Sequence, residues 1–184
     1  DNTGVSEIEI RKKVQSPESA IKTLMKNGWI DASETSNYRI PFSGVTSGRS
    51  VVLSAEQKAA VEGIWDDKRM VHLLHGVTGS GKTEVYMQLI ERAISNGKQA
   101  IVLIPEISLT YQNIGRFRQR FGQRVSVMNS KMSEGERYDQ YVQAKNGEID
   151  ILIGPRSALF APFEHLGLII IDEEHDGAYK SDVT

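Results

Sequence analysis

The sequence predicts an α/β fold: a parallel sheet with helices on both faces, preceded by a small helix–turn–helix and hairpin module. Three observations predict it. From Met70 onward, short apolar runs alternate with segments of helical spacing. A glycine-rich loop, HGVTGSGKTEVY at 75–86, follows the first of those runs. An acidic cluster, Asp172-Glu173-Glu174-His175, closes the last. Alternation of this kind builds βαβ units. Open parallel sheets bind ligands at the carboxyl ends of their strands, which is where both the loop and the cluster fall.

The start of the chain reads as a separate module over residues 1–43. Residues 6–14 have helical spacing, with Ile8 and Ile10 among charges. Ser16 followed by Pro17 suits an N-cap with proline at the first helical position. Ala20, Ile21, Leu24 and Met25 then recur at helical spacing until Asn27-Gly28 stops the helix. Trp29-Ile30 and Tyr38-Arg39-Ile40 can form a short hairpin around the polar tip at 33–37. Helix, turn, helix and hairpin is the layout of a winged helix, whose second helix can enter a DNA groove. Six basic residues (Arg11, Lys12, Lys13, Lys22, Lys26, Arg39) face six acidic ones (Asp1, Glu7, Glu9, Glu18, Asp31, Glu34), a balance equally compatible with a protein–protein spacer. A Gly/Ser/Thr-rich linker covers 44–52.

The α/β domain is expected over 53–184. Ser54-Ala55-Glu56-Gln57 opens its first helix as a capping box. Strands are expected at 71–74, 100–104, 125–128, 149–153 and 168–171. Tyr86, Leu89, Ile90 and Ala93 mark the buried face of the helix after the glycine-rich loop, which Asn96-Gly97 ends. A second capping box, Ser133 to Glu136, opens a helix running towards Lys145. Between them, Phe117 and Phe121 read as core, and Arg116, Arg120 and Arg124 share a stripe that reads as a solvated face in preference to a DNA track.

The loop has the G-x-x-x-x-G-K-S/T spacing of a phosphate-binding loop, from Gly76 through Val77, Thr78, Gly79 and Ser80 to Gly81, Lys82 and Thr83. Glycines let backbone N–H groups turn inward onto phosphate oxygens. The following helix aims its positive end at the same anion. Lys82 supplies a charge for the β- and γ-phosphates, and Thr83 a hydroxyl for Mg²⁺. Asp172 lies 90 residues on from Lys82, at the end of an apolar run. It can hold Mg²⁺ through water, and Glu173 is placed to polarise an attacking water.

Composition excludes other classes. The chain has 184 residues, no cysteine and a formal net charge of −2. Disulfides and cysteine-ligated zinc are ruled out within it. No run of about 18 apolar residues exists, so no membrane partner is expected. Nucleic-acid binding, if present, must use local patches. Starting at Asp1 and ending at Thr184, the chain reads as a piece of a longer protein.

The loop at 75–86, the segment Ile104-Pro105-Glu106-Ile107-Ser108-Leu109-Thr110, the segment Gly154-Pro155-Arg156-Ser157-Ala158-Leu159-Phe160 and the run LGLIIIDEEHD ending at Asp176 occur in one order. Together they resemble the PriA family of bacterial replication-restart helicases (primosomal protein N′), of superfamily 2. The resemblance covers 53–184 and implies a RecA-like first helicase lobe, with a winged-helix module before it and a second lobe after it. It implies ATP and Mg²⁺, with zinc only in the second lobe, and a 3′ to 5′ motor on forked and single-stranded DNA. Implied partners are primosome proteins and single-strand-binding protein, in a bacterial cytoplasm near the nucleoid. By the same resemblance, Glu174 and His175 couple the ATP site to DNA or to the second lobe, while Thr110, Arg156 and Ser157 contact DNA phosphates. Plainer readings stand beside these: Thr110 as a helix N-terminal hydroxyl and Arg156 as an ion-pair partner. Gln57, 25 residues before Lys82, either reads the adenine edge, as in many helicases, or only completes its capping box. Tyr111 replaces a common proline, and Asn129 a common histidine, of the family.

The rival reading is a fork-binding loading platform with a regulatory nucleotide site. Intact Lys82, Asp172 and Glu173 favour the motor. Since arginines of a second lobe contribute about 10³ to 10⁵ in rate to related phosphoryl transfers, the 184-residue chain alone should bind nucleotide but hydrolyse it poorly. A steady-state turnover near that of a complete helicase would overturn this expectation.

Overall fold

In the computed structural model the described residues are 10, 13–14, 17–31 and 52–180. The chain divides into two units, residues 1–37 and 38–184. In the first, helix α1 spans Glu18–Lys26, with Pro17 at its N-cap position. It ends as its sequence dictates. Gly28 adopts φ +69°, which only glycine does without strain, and its N–H donates to the Met25 carbonyl at 3.0 Å. Ser16, most of the helix expected over 6–14, residues 38–40 of the expected hairpin and most of the linker lie outside the described residues.

The second unit holds α2 (Ala55–Asp66), α3 (Lys82–Ser95), β1 (Gln99–Leu103), α4 (Tyr111–Phe121), β2 (Val125–Val127), α5 (Glu134–Lys145), β3 (Ile151–Gly154) and β4 (Leu166–Ile171). The strands form one parallel sheet in the order β2-β3-β1-β4. Strand β1 is buried along its whole length. Alternate residues serve opposite faces: Ala100 and Val102 pack with Tyr86, Met87 and Ile90 of α3 and Phe117 of α4. Ile101 and Leu103 pack with Leu152 of β3 and Ala144 of α5. Val61 of α2 packs behind α3 on Val85 and Leu89. This is the RecA-like parallel sheet with helices on both faces. Among the described residues no helix is long and apolar enough to cross a membrane.

The helix starts follow local chemistry. Both expected capping boxes form. Ser54 Oγ accepts from the Gln57 N–H at 3.2 Å while Gln57 Oε1 accepts from the Ser54 N–H at 2.9 Å. Ser133 and Glu136 repeat the pattern at the start of α5.

One expected strand is absent. Residues 71–77 carry no regular structure, and Val71 and Leu73 are 85% and 76% exposed. An apolar segment becomes a strand only when a neighbour completes its ladder. Among the described residues β4 is the end of the sheet, pairing only with β1, and it offers 71–74 no bonds. Leu74 nevertheless packs in the same cluster as Leu168, so the segment approaches the sheet without joining it.

Gly154 closes β3 under tight constraint. A Cβ there would sit 3.0 Å from Ala158 Cβ, 3.1 Å from Met128 Cβ and 3.2 Å from the Met128 carbonyl oxygen. We expect Gly154→Ala to destabilise the domain by about 1–3 kcal/mol through overpacking. A urea midpoint equal to the wild type would show that this corner has room.

Candidate functional site

The glycine-rich loop lies between the irregular 71–77 segment and α3. Gly79 and Gly81 adopt φ +82° and +84°, left-handed values that admit glycine freely. Gly81 occupies the N-cap position of α3, and no side chain caps that helix. Its first N–H groups therefore face the loop, the arrangement in which helix N-termini receive anions. Lys82 Nζ donates to the Gly76 carbonyl at 2.8 Å and to the Val77 carbonyl at 3.3 Å, so the ammonium is folded over the loop. Thr83 is half-buried in the first turn, while Val77, Thr78, Gly79 and Ser80 are exposed. Gln57 serves its capping box and also points its amide at the loop: Nε2 lies 3.4 Å from the Gly81 carbonyl oxygen and 3.5 Å from that of Ser80.

The acidic cluster is brought to the same place by sheet register. Leu103 pairs with Ile171, and the Asp172 N–H donates to the Leu103 carbonyl at 2.9 Å, extending the ladder by one residue. Two tyrosines then hold Asp172. Tyr86 Oη, on α3, donates to Asp172 Oδ1 at 3.3 Å, and Tyr179 Oη donates to the Asp172 carbonyl at 2.9 Å. Burial, then the neighbouring Glu173 charge, push the Asp172 carboxyl above the usual carboxylate range; the Tyr86 hydrogen bond and the Lys82 ammonium oppose the rise. Burial and the Asp172 charge push the Tyr179 phenol up to about 12, so it remains a donor at neutral pH.

Glu173 has φ +51°, the one positive value for a non-glycine among the described residues. That backbone is uncommon for a glutamate, and such strain concentrates at functional sites. Glu173 and His175 are exposed, with His175 Nε2 3.5 Å from Glu173 Oε2; Glu174 is also exposed.

The candidate DNA residues lie on the loops that follow β1 and β3, adjacent parallel strands, and so at the same end of the sheet as Asp172. Thr110 caps α4, its Oγ1 accepting from the Asn113 N–H at 3.3 Å. Arg156 is exposed, and among the described residues its partner is the Tyr179 carbonyl at 3.5 Å, not a carboxylate. The Ser157 hydroxyl lies 3.8 Å from Met128 Sδ.

The arginine stripe departs from expectation at Arg120. Arg116 and Arg120 pair with Glu84 of α3, and Arg124 with Asp150; Arg116 and Arg124 remain exposed as expected of a solvated face, while Arg120 is buried in its ion pairs. The matching stripe on α3, Glu84, Gln88 and Glu91 at i, i+4 and i+7, is the signal that pairs them. Tyr86 was legible only as a core residue. Its place four residues after Lys82, on the same helix face, is the clue to its second role.

The oxygen donors fit a hard divalent cation: one hydroxyl, Thr83, and one fixed carboxylate, Asp172. Mg²⁺ in nucleotide sites takes one or two carboxylates and completes its shell with water and phosphates. Accordingly, no cluster of three or more acidic or histidine ligands is needed, and none occurs among the described residues.

Fold, glycine-rich loop and acidic cluster together are those of a RecA-like helicase lobe. The family model for DEAD/DEAH box helicases matches residues 54–182, and the chain belongs to that family. Within it, the chain is similar to replication restart protein PriA: 47% identical to that of Bacillus subtilis over 180 residues, covering 95% of this chain and 22% of the relative. It is 43% identical to PriA of Chlamydia muridarum over 178 residues, covering 94% of this chain and 24% of the relative. For PriA of Synechocystis the identity is 41% over 174 residues, covering 94% and 21%. The chain thus spans between a fifth and a quarter of the length of these relatives. A helicase domain of this family generally implies use of ATP with Mg²⁺.

The raised pKa of Asp172 has a testable sign. The folded state holds that proton more tightly than the unfolded chain, so stability falls as pH rises from the unfolded towards the folded value. Asp172→Asn removes the disfavoured charge and keeps an acceptor for Tyr86. At pH 7 we expect a melting temperature equal to or above the wild type, with Mg²⁺-dependent nucleotide affinity lowered by about tenfold or more. Unaltered Mg²⁺ dependence would remove Asp172 from the metal site.

Proposed function

We propose that this chain is the ATP-binding lobe of a DNA helicase acting in replication restart, translocating 3′ to 5′ and remodelling forks before primosome assembly. The observation that carries the reading is the meeting of loop and acidic cluster: Tyr86 of the loop helix donates to Asp172, whose titration feels the Lys82 ammonium. This contact between residues 86 apart in sequence supports a common site for a nucleoside triphosphate and its cation. The similarity to PriA of several bacteria supports the restart role.

In this reading the loop from Gly76 to Gly81 and the open N-terminus of α3 bind phosphate. Lys82 leaves its two loop carbonyls for phosphate oxygens. Thr83 and Asp172 hold Mg²⁺, which would neutralise charge developing on the phosphates. Glu173 takes the proton of the attacking water, its exposed carboxylate projecting from a strained turn. Gln57 positions the loop and contacts the adenine edge. Glu174 and His175 carry the state of the site towards DNA or a second lobe. Thr110, Arg156 and Ser157 contact the phosphates of single-stranded DNA, a sequence-independent mode suited to hydroxyls and a guanidinium. Residues 1–43 form a winged-helix module, a DNA-contacting element or a protein–protein spacer, joined by the 44–52 linker to the lobe at 53–184. Single-strand-binding protein and primosome proteins are the partners, in the bacterial cytoplasm around the nucleoid.

The deciding experiment is calorimetric titration of Mg-ADP into this chain and into Lys82→Ala. Saturable binding, weakened by about 100-fold or more in the variant, is expected if the ammonium acts on phosphate in a partly desolvated site. Equal binding by both proteins would remove the loop from the nucleotide site.

A further inference from the structure

Glu84 follows Thr83 directly, in the first turn of α3, and its side chain is only 12% exposed. Its two oxygens are divided between two guanidiniums of α4. Arg116 Nη2 donates to Oε1 at 2.6 Å, and Arg120 Nη1 donates to Oε2 at 3.2 Å. Arg120 is 8% exposed and is spread across the α3 stripe: its Nη2 also donates to Gln88 Oε1 at 3.0 Å and to Glu91 Oε2 at 2.7 Å. Arg116 is 45% exposed, an outer arm of the same network.

Adhesion does not require this network. Phe117 of α4 already packs with Tyr86 and Ile90 of α3 in the main apolar core. A buried ion pair contributes little net stability beyond what apolar residues of equal volume would. Its particular property is direction: charge-assisted bonds of fixed geometry tie the position of one helix to that of the other. Here the tied points matter. Glu84 is two residues from Lys82, so any movement of the loop on taking up an anion displaces its carboxylate. Helix α4 begins just after its cap Thr110, and Asn113 Nδ2 donates to the Ser108 carbonyl at 2.9 Å and fixes the preceding turn. At the helical rise, Arg116 and Arg120 lie about 9 and 15 Å along α4 from Thr110.

We propose that Glu84, Arg116 and Arg120 are positioning residues that transmit occupancy of the phosphate loop to the Thr110 segment, and the reverse, making nucleotide and single-stranded DNA binding interdependent. The proposal rests on the helicase reading above. None of the three touches nucleotide. They act through α3 and α4, whose relative position both ligands bias.

The test uses the full-length protein carrying this chain, as wild type, Glu84→Gln and Arg116→Gln, with oligo-dT and Mg-ATP. Three quantities are read: stimulation of ATP hydrolysis by oligo-dT, and the separate affinities for Mg-ADP and for oligo-dT without nucleotide. We expect stimulation to fall by about fivefold or more in both variants, with each separate affinity held within about twofold. Unchanged stimulation alongside a lowered melting temperature would make the network a structural clamp and overturn the proposal. Weaker oligo-dT binding without nucleotide in Arg116→Gln, with Glu84→Gln behaving as wild type, would make Arg116 a direct DNA contact and also overturn it. Should Glu84→Gln fail to fold, Arg116→Gln decides alone, because Arg120 still neutralises Glu84 in that variant. A wild type indifferent to oligo-dT would instead remove the helicase reading, and the proposal with it.

Discussion

The ladder around β1 is the constraint on which the rest depends. Leu103 pairs with Gly154 on one side and with Ile171 on the other, in parallel register. Two further bonds carry the ladder past the strand ends, Ile104 N–H to the Gly154 carbonyl and Asp172 N–H to the Leu103 carbonyl, each at 2.9 Å. The segments that begin at Pro105, Pro155 and Asp172 therefore leave the sheet at one level. A slip of one residue would turn Asp172 to the other face and part it from Tyr86. Complete burial of β1 on both faces excludes such a slip, because every alternate register places its side chains against the wrong helices.

Around that level the polar groups are arranged by what the apolar core leaves uncovered. Helix α3 has an apolar face on the sheet, a charged stripe towards α4 and a bare N-terminus at the loop. One helix thus serves three tasks that its sequence distributes over different sides. Asp172 is held by a phenol from the core and by the sheet backbone, and burial disfavours its charge. The site keeps that cost while the surrounding sheet keeps the geometry.

What was legible in the sequence is what closes within a few residues. The capping boxes at Ser54 and Ser133 and the Thr110 cap are local bargains between a side chain and a backbone group three positions away, and the glycine stop after Asn27 closes by a backbone bond from Gly28 to Met25. The glycine-rich loop and the acidic cluster stand out in the sequence for the same reason, since spacing alone marks them. Pairing across the fold was not legible. The run at 71–74 has the apolar character of a strand, but composition reports a tendency to be buried and says nothing of who supplies the ladder. The buried pairing of Arg120 was hidden because its carboxylate lies more than 30 residues earlier, on another helix. The left-handed backbone of Glu173 had no signal, as glutamate does not favour it and only the surrounding turn imposes it.

The unfilled side of β4 has a consequence for the polypeptide as a material. Ile169 and Ile171 are exposed there, and the strand has no second neighbour among the described residues. A bare row of N–H and C=O groups beside isoleucines is a template for any extended strand that meets it. The net charge of −2 supplies little repulsion between molecules. Among the described residues this border, more than the buried core, is where one molecule would template on another, and a lysine at 169 would act as a gatekeeper against it.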